Sequence, residues 1–284
     1  MLRSLHEGGL ARSALIRASG EGHAVIADLE KRKPKWFACT GSTVELSDVG
    51  RGAYLRELEG RTPVLSDEEL IASLAEVAQR RPAVKRDLDQ VLATLRTVAK
   101  RARRLVETGE AQRGVLFVGD DDLTSVALCR HLAAMKQERA IHAIDVDPEL
   151  VALLREHGVD ASVHDIREPL DPKKRFGCVF MDPPYAPAGF RLFVSRAVPA
   201  VKDDGRLWVC FGHSRRSNER GLQKQRVLTE AGWLVEEVLP DFNVYDGAES
   251  IGSRSALWIC ARTPQTKELS VPVDEELYTR REPL

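Results

Sequence analysis

The sequence predicts an α/β protein: a mainly parallel seven-stranded sheet with helices on both faces, preceded by a small α+β domain. Three observations predict it. From Val115 onward, short apolar runs alternate with helical patterns, as in a parallel sheet wrapped by helices. Four successive runs end in acidic residues, where the ligands of open parallel sheets bind. Before residue 62 the order differs, with two helical patterns followed by short strands. With 284 residues, 43% apolar and 30% charged, the chain has the length for one large domain and a smaller one.

In residues 1–64, Ala11 to Ser19 and Ala24 to Lys33 have helical spacing, and Lys33-Pro34 ends the second helix. Thr40-Gly41-Ser42 suits a hairpin tip, and Val44-Glu45-Leu46 precedes a helix from Arg51 to Leu58. This order resembles a winged helix, a module that binds DNA or serves in packing and dimerisation. The net charge of −1 lacks the basic surplus of a nucleic-acid partner, so no nucleic acid is expected and a homodimer through this domain is the assembly it suggests.

Residues 65–112 are expected to form a helical linker or lid. Ser66-Asp67-Glu68-Glu69 is a capping box that starts one helix. After Arg81-Pro82 a longer helix is expected, with Leu88, Val91, Leu92, Leu95, Val98, Ala102 and Leu105 on one face against the main domain. Arg96, Lys100, Arg101, Arg103 and Arg104 crowd that helix and are taken as a solvated face.

Residues 113–264 carry the strands: Val115–Val118, Ala140–Asp145, Ala161–His164, Cys178–Met181, Arg206–Phe211, Trp233–Leu239 and Ala256–Cys260. The last two have no helix between them and read as an antiparallel pair, the ending of a class I methyltransferase-like Rossmann fold. Residues 265–284 read as a tail. The five cysteines have no CxxC or CxxH spacing, so neither a disulfide framework nor a metal site is expected. The apolar runs are strand-sized and no leader pattern opens the chain, so no membrane association and a cytoplasmic location are expected.

The chemistry sits at the strand ends. Gly119 opens a turn normally made of glycines that approach a nucleotide phosphate, but Asp120, Asp121 and Asp122 follow it. Three carboxylates repel phosphate and suit an amine or sulfonium cation. Asp145 is placed to accept hydrogen bonds from the ribose hydroxyls of an adenosine, with Asp147 capping the next helix, and Asp165 to accept from the adenine amino group. In Asp182-Pro183-Pro184-Tyr185 the prolines remove backbone donors, and the Asp182 carboxylate and Tyr185 ring flank an opening for an amine.

Arg81-Pro82, Asp89-Gln90, Thr94, Thr97, Arg101 to Gly109, Gly119-Asp120-Asp121-Asp122-Leu123-Thr124-Ser125, Asp145-Val146-Asp147, Asp165 to Leu170 and Asp182-Pro183-Pro184-Tyr185 together resemble branched-chain polyamine synthase, also called N(4)-bis(aminopropyl)spermidine synthase. The resemblance covers about residues 80 to 262. It implies transfer of aminopropyl groups from decarboxylated S-adenosylmethionine to the secondary amine of a polyamine such as spermidine, releasing methylthioadenosine. It implies Gln90 and Thr94 on a helix that lids the donor, and Asn243, Tyr245, Gly247, Ala248 and Glu249 as an acceptor-side loop, Glu249 meeting a distal ammonium. On the family's pattern Asp122 is the preferred general base with Asp182 beside it, while Asp120 and Asp121 hold an ammonium. Three alternatives are weighed. Intact S-adenosylmethionine could donate an aminocarboxypropyl or methyl group, with Arg167 or His213 meeting its carboxylate. A nucleic-acid base could be the amine, taken after base flipping. The chain could also be a polyamine-sensing winged-helix regulator.

Overall fold

A computed structural model describes residues 1–171, 173, 175–212, 218–247, 252–271 and 276–278. The chain divides into two units, Met1–Thr62 and Pro63–Leu284.

The first unit runs α1 (Leu2–His6), β1 (Leu10–Ala11), α2 (Arg12–Ser19), α3 (His23–Arg32), β2 (Phe37–Thr40), β3 (Thr43–Leu46) and α4 (Asp48–Gly60). Its antiparallel sheet has the order β1-β3-β2. Leu5, Leu15, Ile26, Val44 and Leu46 form its core, so α1, α2 and α3 contribute one apolar anchor each and β3 two. α1 and β1 escaped the sequence because five and two residues are too short to display a period.

The second unit opens with α5 (Asp67–Gln79), where the Glu69 N–H donates to Ser66 Oγ at 3.2 Å and the Ser66 N–H to Glu69 Oε2 at 2.8 Å. The single long helix expected after Pro82 is a correction. Residues Arg86–Leu88 make one 3₁₀ turn, Asp89 takes a left-handed φ of 57°, and α6 spans only Leu95–Glu107. Thr94 starts α6 as its cap, accepting from the Thr97 N–H at 3.2 Å.

There follow β4 (Val115–Val118), α7 (Thr124–Ala134), β5 (Ile141–Asp145), α8 (Pro148–Glu156), β6 (Asp160–Val163), β7 (Phe176–Met181), α9 (Pro187–Ala200), β8 (Val201–Phe211), α10 (Asn218–Glu230), β9 (Leu234–Val244) and β10 (Arg254–Ala261). The seven-stranded sheet has the order β6-β5-β4-β7-β8-β10-β9, parallel from β6 to β8, with β10 antiparallel to both its neighbours. Period-two alternation feeds two cores. Val115, Phe117, Cys178, Phe180, Trp208 and Cys210 face the layer holding α5, α6 and α7. Leu116, Val118, Val179, Met181, Leu207 and Val209 face the layer holding α9 and α10.

After β4 the chain winds outward through β5 and β6, then returns to place β7 on the other side of β4. A crevice therefore opens between the carboxyl ends of β4 and β7.

The expected tail is a second correction. The Leu269 N–H donates to Ser195 Oγ at 2.9 Å, Arg191 Nε donates to the Ser270 carbonyl at 2.7 Å, and Leu269 is buried, so this segment packs on α9. Among the described residues no helix is long and apolar enough to cross a membrane.

Candidate active site

A cavity of about 240 Å³ occupies that crevice. Along the sheet its wall passes Asp165 and Ile166 after β6, Asp145 and Val146 at β5, Gly119 to Asp122 after β4, and Asp182 to Tyr185 after β7. The chain leaves β4 through Gly119 at a φ of 75°, where a side-chain carbon would stand 3.9 Å from Asp145 Oδ2. Leu123 closes the acidic turn, also left-handed at φ 68°, a conformation that costs a leucine about 1–2 kcal/mol and is held by its burial and by its N–H donating to the Asp120 carbonyl at 2.9 Å.

The three carboxylates of the turn have separate surroundings. Asp120 turns toward the start of α7, accepting from the Thr124 N–H at 2.8 Å and from the Ser125 N–H and hydroxyl. Burial pushes its carboxyl up to about 8 against the pull of those donors. Both of its oxygens are engaged in holding the loop, which weighs against the expected grip on an ammonium. Asp122 is also committed: Oδ1 accepts from the Ala93 N–H and Oδ2 from Arg101 Nη1, both at 2.5 Å. That geometry weighs against Asp122 as the general base. Asp121 is half-buried and makes no hydrogen bond or ion pair among the described residues. Lost hydration, then the charges of Asp122, Asp145, Asp182 and Asp120, hold its carboxyl well above the usual range.

Asp182 has one oxygen engaged and one open. Its Oδ2 accepts from Arg101 Nη2 and from the Tyr245 hydroxyl, each at 2.7 Å, while Oδ1 has no partner among the described residues. Burial raises its pKa, with the Arg101 charge opposing. Arg101 is the hub that sequence reasoning missed. It is 1% exposed, stacks 5.3 Å from the Phe180 ring centroid, and donates to Asn243 Oδ1 at 2.8 Å as well as to Asp122 and Asp182. Asn243 and Tyr245 are tied in turn to Ser255 Oγ at 2.9 and 2.8 Å. The solvated face assigned to this arginine is corrected; it stands three residues after Val98 on the apolar stripe, and that register was the available signal.

Toward β5 and β6, Asp145 accepts from the Asp147 N–H at 2.8 Å and the Asp120 N–H at 3.3 Å, which leaves lone pairs facing the cavity. Burial raises its pKa. Asp147 caps α8 and pairs with Lys85 Nζ at 2.8 Å, pinning the 85–90 loop beside the strand end. In that loop Gln90 lines the cavity and its Oε1 accepts from the Lys85 N–H at 2.7 Å. Thr94 is not in the cavity wall; its hydroxyl is used as the α6 cap, which corrects its expected donor contact. Asp165 lies at the wall but is forked by Arg167, with Nε 2.9 Å from Oδ2, and this neighbour lowers its pKa. Tyr245, Pro183 and Tyr185 line the cavity. Glu249, Ala248 and His213 lie outside the described residues. Arg220 and Tyr278, which the sequence did not single out, also line the cavity.

A family model described as the branched-chain polyamine synthase A C-terminal domain matches residues 69–275. An uncharacterized protein of Methanocaldococcus jannaschii is 32% identical over 231 residues, 78% of this chain and 57% of its own. N(4)-bis(aminopropyl)spermidine synthase of Thermococcus kodakarensis is 29% identical over 201 residues, 66% of this chain and 56% of its own. The chain thus spans little more than half the length of these curated relatives. The crystal structure of branched-chain polyamine synthase from Thermus thermophilus, in complex with N4-aminopropylspermidine and 5'-methylthioadenosine, superposes with a TM-score of 0.65 at 23% identity, covering 89% of this chain and 82% of that one. At that identity the likeness bears on the fold, which is class I methyltransferase-like.

Proposed function

This chain belongs to the branched-chain polyamine synthase A C-terminal domain family, and on that premise we propose that it is an aminopropyltransferase that moves aminopropyl groups from decarboxylated S-adenosylmethionine to an amine of a polyamine such as spermidine. The observation that carries the proposal is the pair of open carboxylates, Asp121 and Asp182 Oδ1, facing one crevice across the β4–β7 switch point.

The length of the crevice fits an extended donor. Ends of β6 and β7 are three strand spacings apart, about 14 Å. The adenosine lies at the β5–β6 end, its ribose on Asp145 and its base toward Asp165. The sulfonium and aminopropyl group cross the β4 turn, where Asp121 meets the donor ammonium. The acceptor amine enters between Asp182 and Tyr185, with its attacking nitrogen about 3–3.5 Å from the carbon beside sulfur.

A new nitrogen–carbon bond forms as the carbon–sulfur bond breaks; its electron pair neutralises the sulfonium and leaves methylthioadenosine. The nitrogen's proton passes to Asp182 Oδ1. Arg101 and Tyr245 hold the other oxygen of that carboxylate, so the base is aimed before substrate arrives. The amino-terminal unit is read as the winged-helix-like module of this enzyme and as the place where two copies pair.

One observation favours a second reading. Arg220 lines the cavity and has no ion pair among the described residues, so it could meet the carboxylate of intact S-adenosylmethionine. Arg167, by contrast, is spent on Asp165. The test is incubation of the purified protein with spermidine and either donor, with products read by mass spectrometry. Spermidine heavier by one or two aminopropyl units with the decarboxylated donor alone supports the proposal. Transfer from the intact donor replaces it with the second reading.

A further inference from the structure

Behind the Tyr185 ring lies a charged group that the mechanism has not used. Lys224, on α10, is 4% exposed, and its Nζ stands 4.0 Å from the Tyr185 ring centroid, 5.4 Å from that of Phe211 and 5.8 Å from that of Phe190. An ammonium has three donors to satisfy. Here it has a single long hydrogen bond, 3.5 Å to the Gly212 carbonyl, and no ion pair among the described residues. A side-chain carbon on Gly212 would meet the Arg254 carbonyl at 2.9 Å, so the backbone at this junction is fixed by close packing. Tyr185 is thus held over one face by Lys224, while the ring lines the cavity.

A leucine or methionine at position 224 would fill the same space without burying a charge, so packing alone does not account for a lysine there. The proposed chemistry supplies a reason. The nucleophile must be a neutral amine, yet free amines are protonated near neutrality, and the crevice acids favour the cation. A cation fixed behind Tyr185 pulls the other way at one place only, the nitrogen in front of that ring.

We propose that Lys224 is a positioning residue for the transfer: it clamps the Tyr185 ring and, as a fixed charge behind it, keeps the acceptor nitrogen at that ring in its neutral, nucleophilic form. The inference rests on the polyamine reading of the cavity. A nitrogen against the exposed side of the ring lies about 8 Å from Nζ, where at an effective dielectric of about 20 a unit charge lowers an amine pKa by on the order of one unit. The groups facing this cluster are Asp182 at the end of β7, Cys210 on β8, Arg101 on α6 and Arg220 on α10 itself. Burial brings the Lys224 amine down to about 8, with Asp182 pulling up and Arg220 pushing down, so the charge behind the ring is present at neutral pH.

The test compares wild type, Lys224→Met and Lys224→Arg, each first shown to be folded by its melting transition. Two readouts are used: the pH profile of kcat at saturating spermidine, which reports the bound amine, and the protons released when spermidine binds, from calorimetry in two buffers. Lys224→Met should move the acid limb up by about one unit, falling roughly tenfold below wild type at low pH and converging with it at high pH, and should release fewer protons. Lys224→Arg should keep the wild-type limb. An equal loss at every pH, or an unmoved limb with unchanged proton release, would reduce Lys224 to packing and overturn the inference. If wild type binds spermidine without turnover, the aminopropyl reading fails while the proton count still decides Lys224. If it binds no polyamine, both fall.

Discussion

Replacing Arg101 with methionine removes the cation that pairs Asp122 and Asp182 at the β4 and β7 ends of the crevice. The side chain is buried, and its loss leaves the Asp122 and Asp182 carboxylates without their shared counter-charge at 2.5 and 2.7 Å. Removing one partner of a buried ion pair costs about 3–5 kcal/mol, because the charge left behind is uncompensated. For a unit of this size each kcal/mol is worth about 2–4 °C, so the melting temperature should fall by on the order of 10 °C. The loss should depend on pH. Asp182 already has a raised pKa, held down in part by Arg101, and the variant raises it further. A carboxyl whose folded pKa lies above its unfolded value binds more protons when folded, so stability falls as pH rises from about 4 toward the raised value. The deficit relative to wild type should therefore be smaller near pH 5 than near pH 8. Calorimetric melting of both proteins at the two pH values is the assay. A deficit below about 1 kcal/mol, or one equal at both pH values, would refute the view that Arg101 is a buried counter-ion.

Asp182→Asn should lower kcat by about 10²–10⁴ with little change in donor affinity, and a turnover series on the folded variant checks it. Asp121→Asn should act on binding: loss of one charge-assisted contact of about 1.5–3 kcal/mol raises the KM for the decarboxylated donor roughly tenfold or more. Ser125→Ala should cost about 1–2 kcal/mol of stability, seen by denaturant melting, with a smaller effect on KM than Asp121→Asn, since Ser125 serves Asp120 and Asp120 serves the loop. Asp145→Ala should weaken methylthioadenosine binding by about tenfold or more in titration calorimetry; unchanged affinity would move the ribose elsewhere.

Much of the sheet was legible because its strands are buried on both faces and read as continuous apolar runs, as in Val115–Val118. The strand-end acids were legible for a related reason: parallel topology fixes where they must lie. The partition of labour among those acids was not. Asp120, Asp121 and Asp122 are identical in sequence terms, and only the side-chain directions set by the left-handed Gly119 and Leu123 separate the capping, open and ion-paired carboxylates. Arg101 and Lys224 were hidden for another reason. Charged residues on helices are usually solvated, and the hydrogen-bond partners lie 21 to 144 residues from Arg101 and 12 residues from Lys224 in the chain. The loop at 86–94 reads as helix because its apolar spacing fits one, whereas Asp89 and the Thr94 cap interrupt it. The packed C-terminal segment was missed because it is anchored through its own backbone groups, the Leu269 N–H and the Ser270 carbonyl, which meet side chains of Ser195 and Arg191.

The central claim is that the acidic crevice selects a donor ending in an ammonium without a carboxylate. Titration calorimetry of decarboxylated against intact S-adenosylmethionine measures it most directly. One or two charge-assisted bonds gained, and repulsion of a carboxylate by the same acids, predict that the decarboxylated donor binds at least about tenfold more tightly. Equal or tighter binding of the intact donor, lost on replacing Arg220, would contradict the account.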